Sequence, residues 1–502
     1  MAIVNSIFTW YMKKRIHQIE LFMKYPLDVQ DEWLHTLISS AENTEWGKLY
    51  DYRSILTVQQ FKERVPIQNY DTLKPYIERM LQGEQNILWP SEIKWFAKSS
   101  GTTSDRSKFI PVSEEALEEC HFKGGKDMLS IYCNNRPQAK MFTGKGLVLG
   151  GSHQINQLCE DIHFGDLSAV LIKNLPVWAE YYRTPDMSIA LMDNYEEKID
   201  RMAEATIKEN VTSISGVPTW TIVLAKKVME ITGTKNLLEV WPNLEAYFHG
   251  AVNFTPYRAQ FKELIPSSDM YYLETYNASE GFFGIQDQSD SEELLLMLDY
   301  GIYYEFLPIE HLDDENPKTL SLEQVELHKN YAVIISTNAG LWRYMIGDTV
   351  HFTSLYPFRI KITGRTKHFI NAFGEEVIID NAENALTKAC ALTNAKIKDY
   401  TACPIYFSGE EAGGHEWIIE FEQQPTDFEQ FVNVLDDTLR EVNSDYDAKR
   451  FKDMALKRPK VHNAPKDIFY KWLKEKGKLG GQHKVPRLAN NREYVDEILK
   501  LM

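Results

Sequence analysis

A run of small and hydroxyl-bearing residues lies between two apolar segments. It comprises Ser99, Ser100, Gly101, Thr102 and Thr103. Arg106 and Lys108 follow it, and serine and threonine side chains compete with regular backbone pairing, so the stretch is predicted to be a loop. Its hydroxyls, backbone N–H groups and cations could together surround a polyphosphate. The spacing is not that of a Walker loop, and a polar surface turn is the alternative.

A second candidate site follows the apolar segment 270–275, which is predicted to be a strand. Its residues are Tyr276, Asn277, Ala278, Ser279 and Glu280. Open α/β sheets bind ligands at the carboxyl ends of their strands, so these side chains are expected at that edge. Tyr276 offers a flat face for a base, Ser279 a phosphate contact, and Glu280 a hard oxygen ligand suited to Mg²⁺. A tight turn with a buried tyrosine and a solvated glutamate is the alternative.

Three further charged residues lie near glycines. Asp348 follows Gly347 at an expected turn, where it could accept hydrogen bonds from two ribose hydroxyls. Arg343 could pair with a phosphate, or with a nearby carboxylate, which is the commoner fate of an arginine. Lys484 lies in the glycine-containing stretch 480–487, and its long stem could carry a point charge into a neighbouring site. An exposed lysine in a basic region is the alternative for Lys484.

The composition is that of an acidic globular protein. The 502 residues suffice for one large core and a second, smaller one. The net charge of −17 argues against general nucleic-acid binding but leaves room for local positive charge at an ATP site. The five cysteines show no CxxC pair and no metal-ligand spacing, which favours a reducing, cytoplasmic location. No signal peptide and no apolar run long enough for a membrane span is evident, and the sequence predicts no oligomeric state.

The elements that must position these residues alternate between short strands and helices. Residues 1–90 are predicted to be mostly helical, and Ser113 is the predicted N-cap of a helix that ends near Tyr132. Strands are predicted at 93–97, 146–151, 211–215, 244–248 and 270–276, and helices at 194–210, 218–231 and 255–265. This alternation indicates an α/β architecture.

The pattern changes in the last 210 or so residues. Closely spaced strands over 291–363 indicate an appended antiparallel β region. A polar, glycine-punctuated crossing at 364–374 leads into a strand- and helix-rich segment with a basic end, where Lys and Arg outnumber Asp and Glu by 15 to 6 over 449–502. We therefore expect a large N-terminal α/β domain, residues 1–363, and a smaller α+β domain, residues 364–502.

Taken together, these stretches resemble the adenylate-forming superfamily, and in detail the auxin-responsive Gretchen Hagen three family of acyl acid amido synthetases. The resemblance rests on segments that occur in family order: 99–103 with Lys108, 240–243 leading to 249–251, 276–280 with Gly284, 340–344 with 347–348, and 482–487. Each motif alone is weak, but five in sequence are specific. They span nearly the whole chain.

The resemblance implies a mobile C-terminal lid domain that closes over the nucleotide. It also implies two half-reactions, in which a carboxylate and ATP give acyl-AMP and pyrophosphate, and an amino acid amine then displaces AMP. Residues 99–103 would hold the triphosphate, Tyr276 would stack on adenine, and Asp348 would bind ribose. The implied catalytic residues are Lys484, Glu280 and Lys108, with Glu280 assisting Mg²⁺. The implied nucleotide-binding set also takes in Gly250, Ala251, Asn277, Ala278, Ser279, Arg343 and Arg365.

The sequence therefore predicts an ATP-dependent ligase that joins a small or aromatic carboxylic acid to an amino acid. An acyl-CoA ligase and a catalytically silent nucleotide- or acyl-binding protein are the alternatives. Asn277 departs from the small residue that plant members tend to have there, which puts hormone-type substrates in doubt. Candidate segments for the acyl pocket are 147–153, 167–178 and 216–224. The sequence names neither the acid nor the amine.

Overall fold

Helices and strands alternate along the chain in the computed structural model, as the sequence predicts. The structure describes residues 2–99, 108–150, 155–159, 161–192, 194–252, 254, 257–289, 291–312, 314–366, 369–407, 412–453, 455–476 and 486–502. The helices are α1 (Ala2–Lys13), α2 (Ile16–Lys24), α3 (Pro26–Ala41), α4 (Glu45–Leu49), α5 (Val58–Arg64), α6 (Tyr70–Leu81), α7 (Lys123–Asn135), α8 (Leu167–Lys173), α9 (Val177–Tyr182), α10 (Met187–Ala190), α11 (Tyr195–Thr206), α12 (Pro218–Thr232), α13 (Arg258–Leu264), α14 (Ile379–Thr393), α15 (Phe428–Val442), α16 (Ser444–Arg450), α17 (Ile468–Glu475) and α18 (Glu493–Leu499). The strands are β1 (Trp95–Ser99), β2 (Lys108–Val112), β3 (Lys145–Val148), β4 (Asn156–Cys159), β5 (Ile162–Gly165), β6 (Arg183–Thr184), β7 (Val211–Ser215), β8 (Ala246–Gly250), β9 (Tyr271–Ala278), β10 (Gly281–Ile285), β11 (Leu294–Leu296), β12 (Ile302–Pro308), β13 (Asn330–Thr337), β14 (Tyr344–Leu355), β15 (Phe358–Arg365), β16 (Phe369–Ile370), β17 (Val377–Ile378), β18 (Lys396–Ile405), β19 (Gly414–Gln423) and β20 (Lys460–Asn463).

The helical N-terminal segment packs on the large sheet. Helix α3 begins with Pro26 in its first turn, where a missing N–H costs nothing, and buries apolar side chains at helical spacing. Its Gln30 side chain lies over β12, where it donates to the carbonyl of Ile302 at 2.9 Å and accepts from the N–H of Tyr304 at 2.9 Å. These bonds satisfy a buried amide and fix the helix against the sheet edge.

The large sheet has eleven strands in the order β12-β13-β14-β15-β11-β10-β9-β8-β7-β3-β6. Strands β6, β3, β7, β8 and β9 are parallel, and the helices that connect them follow the α/β pattern predicted from the sequence. From β9 to β12 every neighbouring pair is antiparallel. The predicted strands over 291–363 are therefore present, but they continue the same sheet and are not appended to it, because the β9–β10 hairpin reverses the strand direction in place.

A smaller sheet, in the order β2-β1-β5-β4, carries the Ser/Thr-rich loop. Strands β1 and β2 form an antiparallel hairpin, and Ser99 faces Lys108 in its last pair. The first hydroxyl and the cation of the motif, those of Ser99 and Lys108, therefore lie on neighbouring strands at the end of the hairpin. After β2, the Ser113 hydroxyl accepts a hydrogen bond from the N–H of Ala116 at 2.9 Å, which confirms the predicted N-cap.

The chain beyond β15 forms its own three-stranded sheet, β18-β19-β20. Helices α14 and α15 share one hydrophobic core with this sheet, and α17 and α18 share a second core with it. The core next to α14 is continuous with the apolar residues around α12 and α13 of the large sheet. The α+β character of this part agrees with the sequence, and the boundary at residue 364 stays a prediction. In the described residues, no helix has the length and apolar character needed to cross a bilayer.

Candidate active site

A cavity of about 1010 Å³ lies where the parallel strands β3, β7, β8 and β9 end. Residues at the carboxyl end of each of these strands line it, as open α/β sheets predict for a ligand site. The other walls come from the β1–β2 hairpin, from the ends of β14 and β15, and from the chain beyond residue 364. Nearly all of the described residues that the sequence singles out meet in this one space.

The base of the Ser/Thr loop forms one wall of the cavity. Ser99 and Lys108 both line it, and Lys108 is buried with its Nζ atom 5.8 Å from the centre of the Tyr70 ring. Ser100, Gly101, Thr102 and Thr103 lie outside the described residues, so their phosphate contacts stay predictions. The Lys108 ammonium provides a positive charge at the place where the sequence predicts one.

The β9–β10 hairpin carries the second motif, and its turn is later than expected. Tyr276, Asn277 and Ala278 belong to β9, because Asn277 pairs with Phe282 and Ala278 with Gly281 of β10. Ser279 and Glu280 form the two-residue turn, and both line the cavity. Burial raises the pKa of the Glu280 carboxyl above its ordinary value, and the charge of Lys108 opposes that rise. Glu280 and Lys108 are therefore close enough to interact electrostatically.

Asp348 connects the β9–β10 hairpin with the end of β15, because it accepts hydrogen bonds from Tyr276 and Arg365. The hydroxyl of Tyr276 donates to Asp348 Oδ2 at 2.6 Å, and Arg365 Nε donates to Asp348 Oδ1 at 2.7 Å. The expected turn at Asp348 is wrong, because the residue lies inside β14, where Gly347 has a φ of 93° and the backbone is irregular. The strand nevertheless directs the carboxylate into the cavity wall.

Arg365 lies at the end of β15, where the chain leaves the large sheet. Besides Asp348 it binds Glu376, with Nη2 and Oε1 3.0 Å apart. Burial alone would lower the pKa of Arg365, but the Glu376 and Asp348 carboxylates outweigh it and raise the pKa. The Arg365 guanidinium therefore keeps its positive charge at the cavity wall beside Asp348, and its contact with a nucleotide stays a prediction.

The phosphate contact suggested for Arg343 is wrong in this structure. Its guanidinium is buried and forms a two-pronged ion pair with Glu305, each N–O distance being 3.0 Å. The remaining donor, Nη1, binds the carbonyls of Lys62 and Val65. All of the described partners of Arg343 are thus structural. A nearby carboxylate is the commoner alternative that the sequence leaves open, and Glu305 is that carboxylate.

Gly250 and Ala251 line the cavity at the end of β8. A Cβ atom on Gly250 would lie 2.4 Å from the carbonyl oxygen of Thr275, so only glycine allows β8 and β9 to approach this closely. Ala251 has a φ of 68°, which turns the chain away from the sheet. Both residues therefore shape the cavity through the backbone, and their contact with a nucleotide stays a prediction.

The three segments suggested for an acyl pocket also contribute to the cavity. Val148 and Leu149, Leu171 and Ile172, and Val217 and Trp220 are examples from each of them. Their side chains give this part of the wall an apolar character, which suits an organic acid.

The sequence missed one polar residue beside the apolar wall, His121, which lies next to the predicted residue Asn277. His121 lies on a π-helical turn, Ala116–Phe122, and its ring interacts with the side chain of Asn277. Among the described residues, neither His121 Nδ1 nor Asn277 Oδ1, both buried, has a partner at full hydrogen-bond geometry. Burial lowers the pKa of His121 to about 4, so the ring is neutral near pH 7. Two buried polar atoms at a cavity wall can bind a polar substrate group or water. The signal for this place is the π-helical turn, which inserts a residue into the helix and often occurs at functional sites. Such an insertion cannot be recognised from a single sequence.

The predicted lysine loop lies at the edge of the described chain. Residues 477–485, and with them Lys484, are outside it. Just beyond, the carbonyl of Pro486 accepts from the Thr401 hydroxyl at 2.6 Å, and Arg487 pairs with Asp399 at 2.5 Å. Asn490 and Asn491 then reach the cavity. The end of the loop is therefore anchored to β18, while the role of Lys484 stays a prediction.

Three family models match the chain in order. They are the GH3 family N-terminal domain over residues 15–270, the GH3 family central domain over 295–365, and the GH3 family C-terminal domain over 380–493. Among curated proteins, the chain is 23% identical to the indole-3-acetic acid-amido synthetase GH3.3 of Arabidopsis thaliana, over 92% of this chain and 89% of the other. It is 24% identical to the jasmonoyl–L-amino acid synthetase JAR4 of Nicotiana attenuata, over 67% and 68%.

Solved structures share the fold. The GH3.15 acyl acid amido synthetase superposes with a TM-score of 0.62 at 16% identity, over 97% of this chain and 95% of the other. A 2-hydroxyisobutyryl-CoA ligase in complex with 2-HIB-AMP and CoA superposes with a TM-score of 0.56 at 14% identity, over 94% and 90%. The fold expected from the sequence, that of an adenylate-forming enzyme, is confirmed.

Proposed function

Because this chain belongs to the GH3 family, we propose that it is an ATP-dependent ligase that activates a carboxylic acid as acyl-AMP and transfers the acyl group to an amino acid. Its relatives are amido synthetases by name, which supports the same reaction class here. The observation that carries the proposal is the convergence of Lys108, Glu280, Asp348 and Arg365 on one cavity.

In the first half-reaction, a carboxylate oxygen of the acid attacks the α-phosphorus of ATP, and the bond to the bridging oxygen breaks to release pyrophosphate. Both reactants are anions, so the protein must hold cations at the developing charge and align the attack. Lys108 supplies one such charge beside the Ser/Thr loop, and Arg365 supplies another beside Asp348. Lys484 would add a third from the C-terminal domain.

Mg²⁺ fits the residues around the hairpin turn. It usually takes one or two protein carboxylates and completes its shell with water and substrate phosphates. Glu280 presents one carboxylate to the cavity, and the raised pKa caused by its burial means that a nearby cation would stabilise its charged form. When bound, the ion neutralises charge on the phosphates. Glu280 would hold it.

In the second half-reaction, the neutral amine of an amino acid attacks the acyl carbon, its proton is lost, and AMP leaves. The apolar wall of the cavity, with Trp220 and Leu171, favours an acid with an aromatic or aliphatic body. His121 and Asn277 offer polar atoms beside that wall. These features support an organic acid as the substrate and leave its identity to experiment.

The test is ATP–pyrophosphate exchange with Mg²⁺ over a panel of acids such as benzoate, phenylacetate, indole-3-acetate and short-chain fatty acids. We expect exchange that depends on one or more of these acids, and an amide by mass analysis when pooled amino acids are added. A thioester formed with CoA in place of an amide would instead indicate an acyl-CoA ligase. ATP binding without exchange for any acid would indicate a silent binder.

A further inference from the structure

Lys449 is a buried lysine at the junction between the two parts of the chain. It lies near the end of α16, is 6% exposed, and lines the cavity. Its Nζ atom lies 4.4 Å from the centre of the Trp220 ring of α12. On the other side it meets Gly374, where a Cβ atom would lie 3.5 Å from the lysine Cε. The ammonium is thus enclosed between the large sheet's helices and the crossing segment.

The next residue on α16 shows how a buried cation is normally satisfied. Arg450 forms a two-pronged ion pair with Asp436, at 2.8 Å and 2.5 Å. Lys449 has no such partner, since within the described chain no hydrogen bond and no ion pair shorter than 4.0 Å joins its ammonium to a carboxylate. A buried charge is costly unless it is paired. This ammonium faces a cavity that a ligand can enter.

The charges around Lys449 restrict what that ligand can be. Asp445, Glu375, Asp166 and Glu376 all act on it from a distance, although burial dominates and lowers its pKa. Three of these four carboxylates, those of Asp166, Glu376 and Asp445, also line the cavity. Glu376 is paired with Arg365. A polyphosphate would be repelled by so many carboxylates, whereas a molecule with one carboxylate and one ammonium adds no net charge and can satisfy both signs.

We propose that Lys449 binds the carboxylate of the amino acid acceptor in the second half-reaction, while the cavity-lining carboxylates around it attract the acceptor's ammonium group. The proposal rests on the proposed function and names the residue that selects an amino acid over a simple amine. Because α16 and Trp220 belong to different parts of the chain, this subsite is complete only when the C-terminal part is packed against the large sheet as it is here.

The kinetic test compares Lys449→Met with Lys449→Arg and with Lys452→Met, a control that removes an exposed lysine three residues further along. The acid is the one that exchanges fastest in the panel. With Lys449→Met we expect the KM for the amino acid to rise about 10- to 100-fold, the effect of losing a hydrogen bond to a charged group. Acid-dependent pyrophosphate exchange should stay within about twofold, since adenylation precedes acceptor binding. Lys449→Arg should recover part of the affinity, and Lys452→Met should match the native protein.

Hydroxylamine separates carboxylate binding from a general loss of transfer, because it accepts the acyl group and has no carboxylate. Its conversion to hydroxamate should be the same in Lys449→Met and in the native protein. An unchanged KM for the amino acid, or an equal loss with hydroxylamine, would overturn the proposal. An equal loss of pyrophosphate exchange would also overturn it, because Lys449 would then act in adenylation.

Calorimetric titration with the twenty L-amino acids provides a test that does not need an active acid. We expect at least one amino acid to bind the native protein and the Lys452→Met variant, and to lose its binding in Lys449→Met. If no acid supports exchange, the proposed function fails, and this titration still decides the role of Lys449. The proposal is overturned if no amino acid binds the native protein, or if Lys449→Met binds the amino acid as well as Lys452→Met does.

Discussion

Glu274 should make the protein less stable as the pH rises toward neutrality. The residue lies on β9 at the cavity wall, where burial, and then the negative charge of Glu292, raise the pKa of its carboxyl to about 7. Arg258 and Lys361 oppose the rise but do not cancel it. Since the folded protein disfavours the charged form, its stability is highest below the pKa that the Glu274 carboxyl has in the unfolded chain, which is near 4.5. It falls as the pH rises from there to about 7, and is constant above that.

The size of the effect follows from the shift. A rise in pKa from 4.5 to about 7 corresponds to roughly 3.5 kcal/mol of differential free energy, at about 1.4 kcal/mol for each pH unit. Solvent in the cavity reduces this, so we expect Glu274→Gln to stabilise the protein by about 1–3 kcal/mol at pH 8.5. At pH 5 most of the effect should be gone, because the native carboxyl is then largely protonated. The amide keeps the shape of the side chain and removes the charge.

Thermal unfolding of the native protein and of Glu274→Gln, at several pH values from 5 to 8.5, tests this reasoning. The difference between their midpoints should grow with pH and level off above about pH 7.5. Glu263→Gln, on the exposed side of α13, controls for the loss of any one acidic charge and should show little trend. Glu292→Gln should shift the transition to lower pH, because it removes the repulsion that raises the pKa of Glu274. A constant difference between the native protein and Glu274→Gln across this range would refute the argument.

Three further substitutions separate structural from catalytic roles. Arg343→Met should destabilise the protein by about 3–5 kcal/mol, because it leaves Glu305 buried without its ion pair; denaturant unfolding should show this loss, while the KM for ATP in pyrophosphate exchange stays unchanged. Glu280→Gln should keep the fold by circular dichroism and lower exchange at least about tenfold at limiting Mg²⁺, and normal turnover there would mean that the metal is held elsewhere. Lys484→Ala should slow acyl-AMP formation by about 10²–10³, by analogy with the loss of one oxyanion donor, and largely spare conversion of supplied acyl-AMP to amide. Equal losses in both half-reactions would argue against that role.

The sequence predicted elements best where local signals agree. The strand at 211–215 has the bounds of β7, because its β-branched residues follow a predicted helix directly. The helix predicted from Ser113 has its N-cap in place and ends at Asn135, three residues beyond the expected end. Strand ends were less accurate. Strand β9 runs to Ala278 because of its pairing with β10, and a pairing partner is not visible in a local pattern.

Side-chain partners were harder to predict than elements. Arg343 lies in a glycine-bounded stretch that suggests exposure, but it forms a buried ion pair with Glu305, which lies 38 residues earlier on β12. Lys449 belongs to a basic terminal region that suggests a solvated face, and yet Trp220 of a distant helix covers it. In both cases the deciding contact is made by tertiary packing, which composition and spacing do not encode.

The interactions of Asp348 are compatible with the ribose contact predicted from its sequence. Each carboxylate oxygen can accept about two hydrogen bonds, so the group has roughly four acceptor positions. Tyr276 occupies one position on Oδ2, and Arg365 occupies one on Oδ1. With the donors that the described residues provide, about two positions remain, which matches the two hydroxyls of a ribose. The Tyr276 and Arg365 bonds fix the orientation of the carboxylate before a nucleotide arrives, so that binding loses less conformational entropy at this side chain.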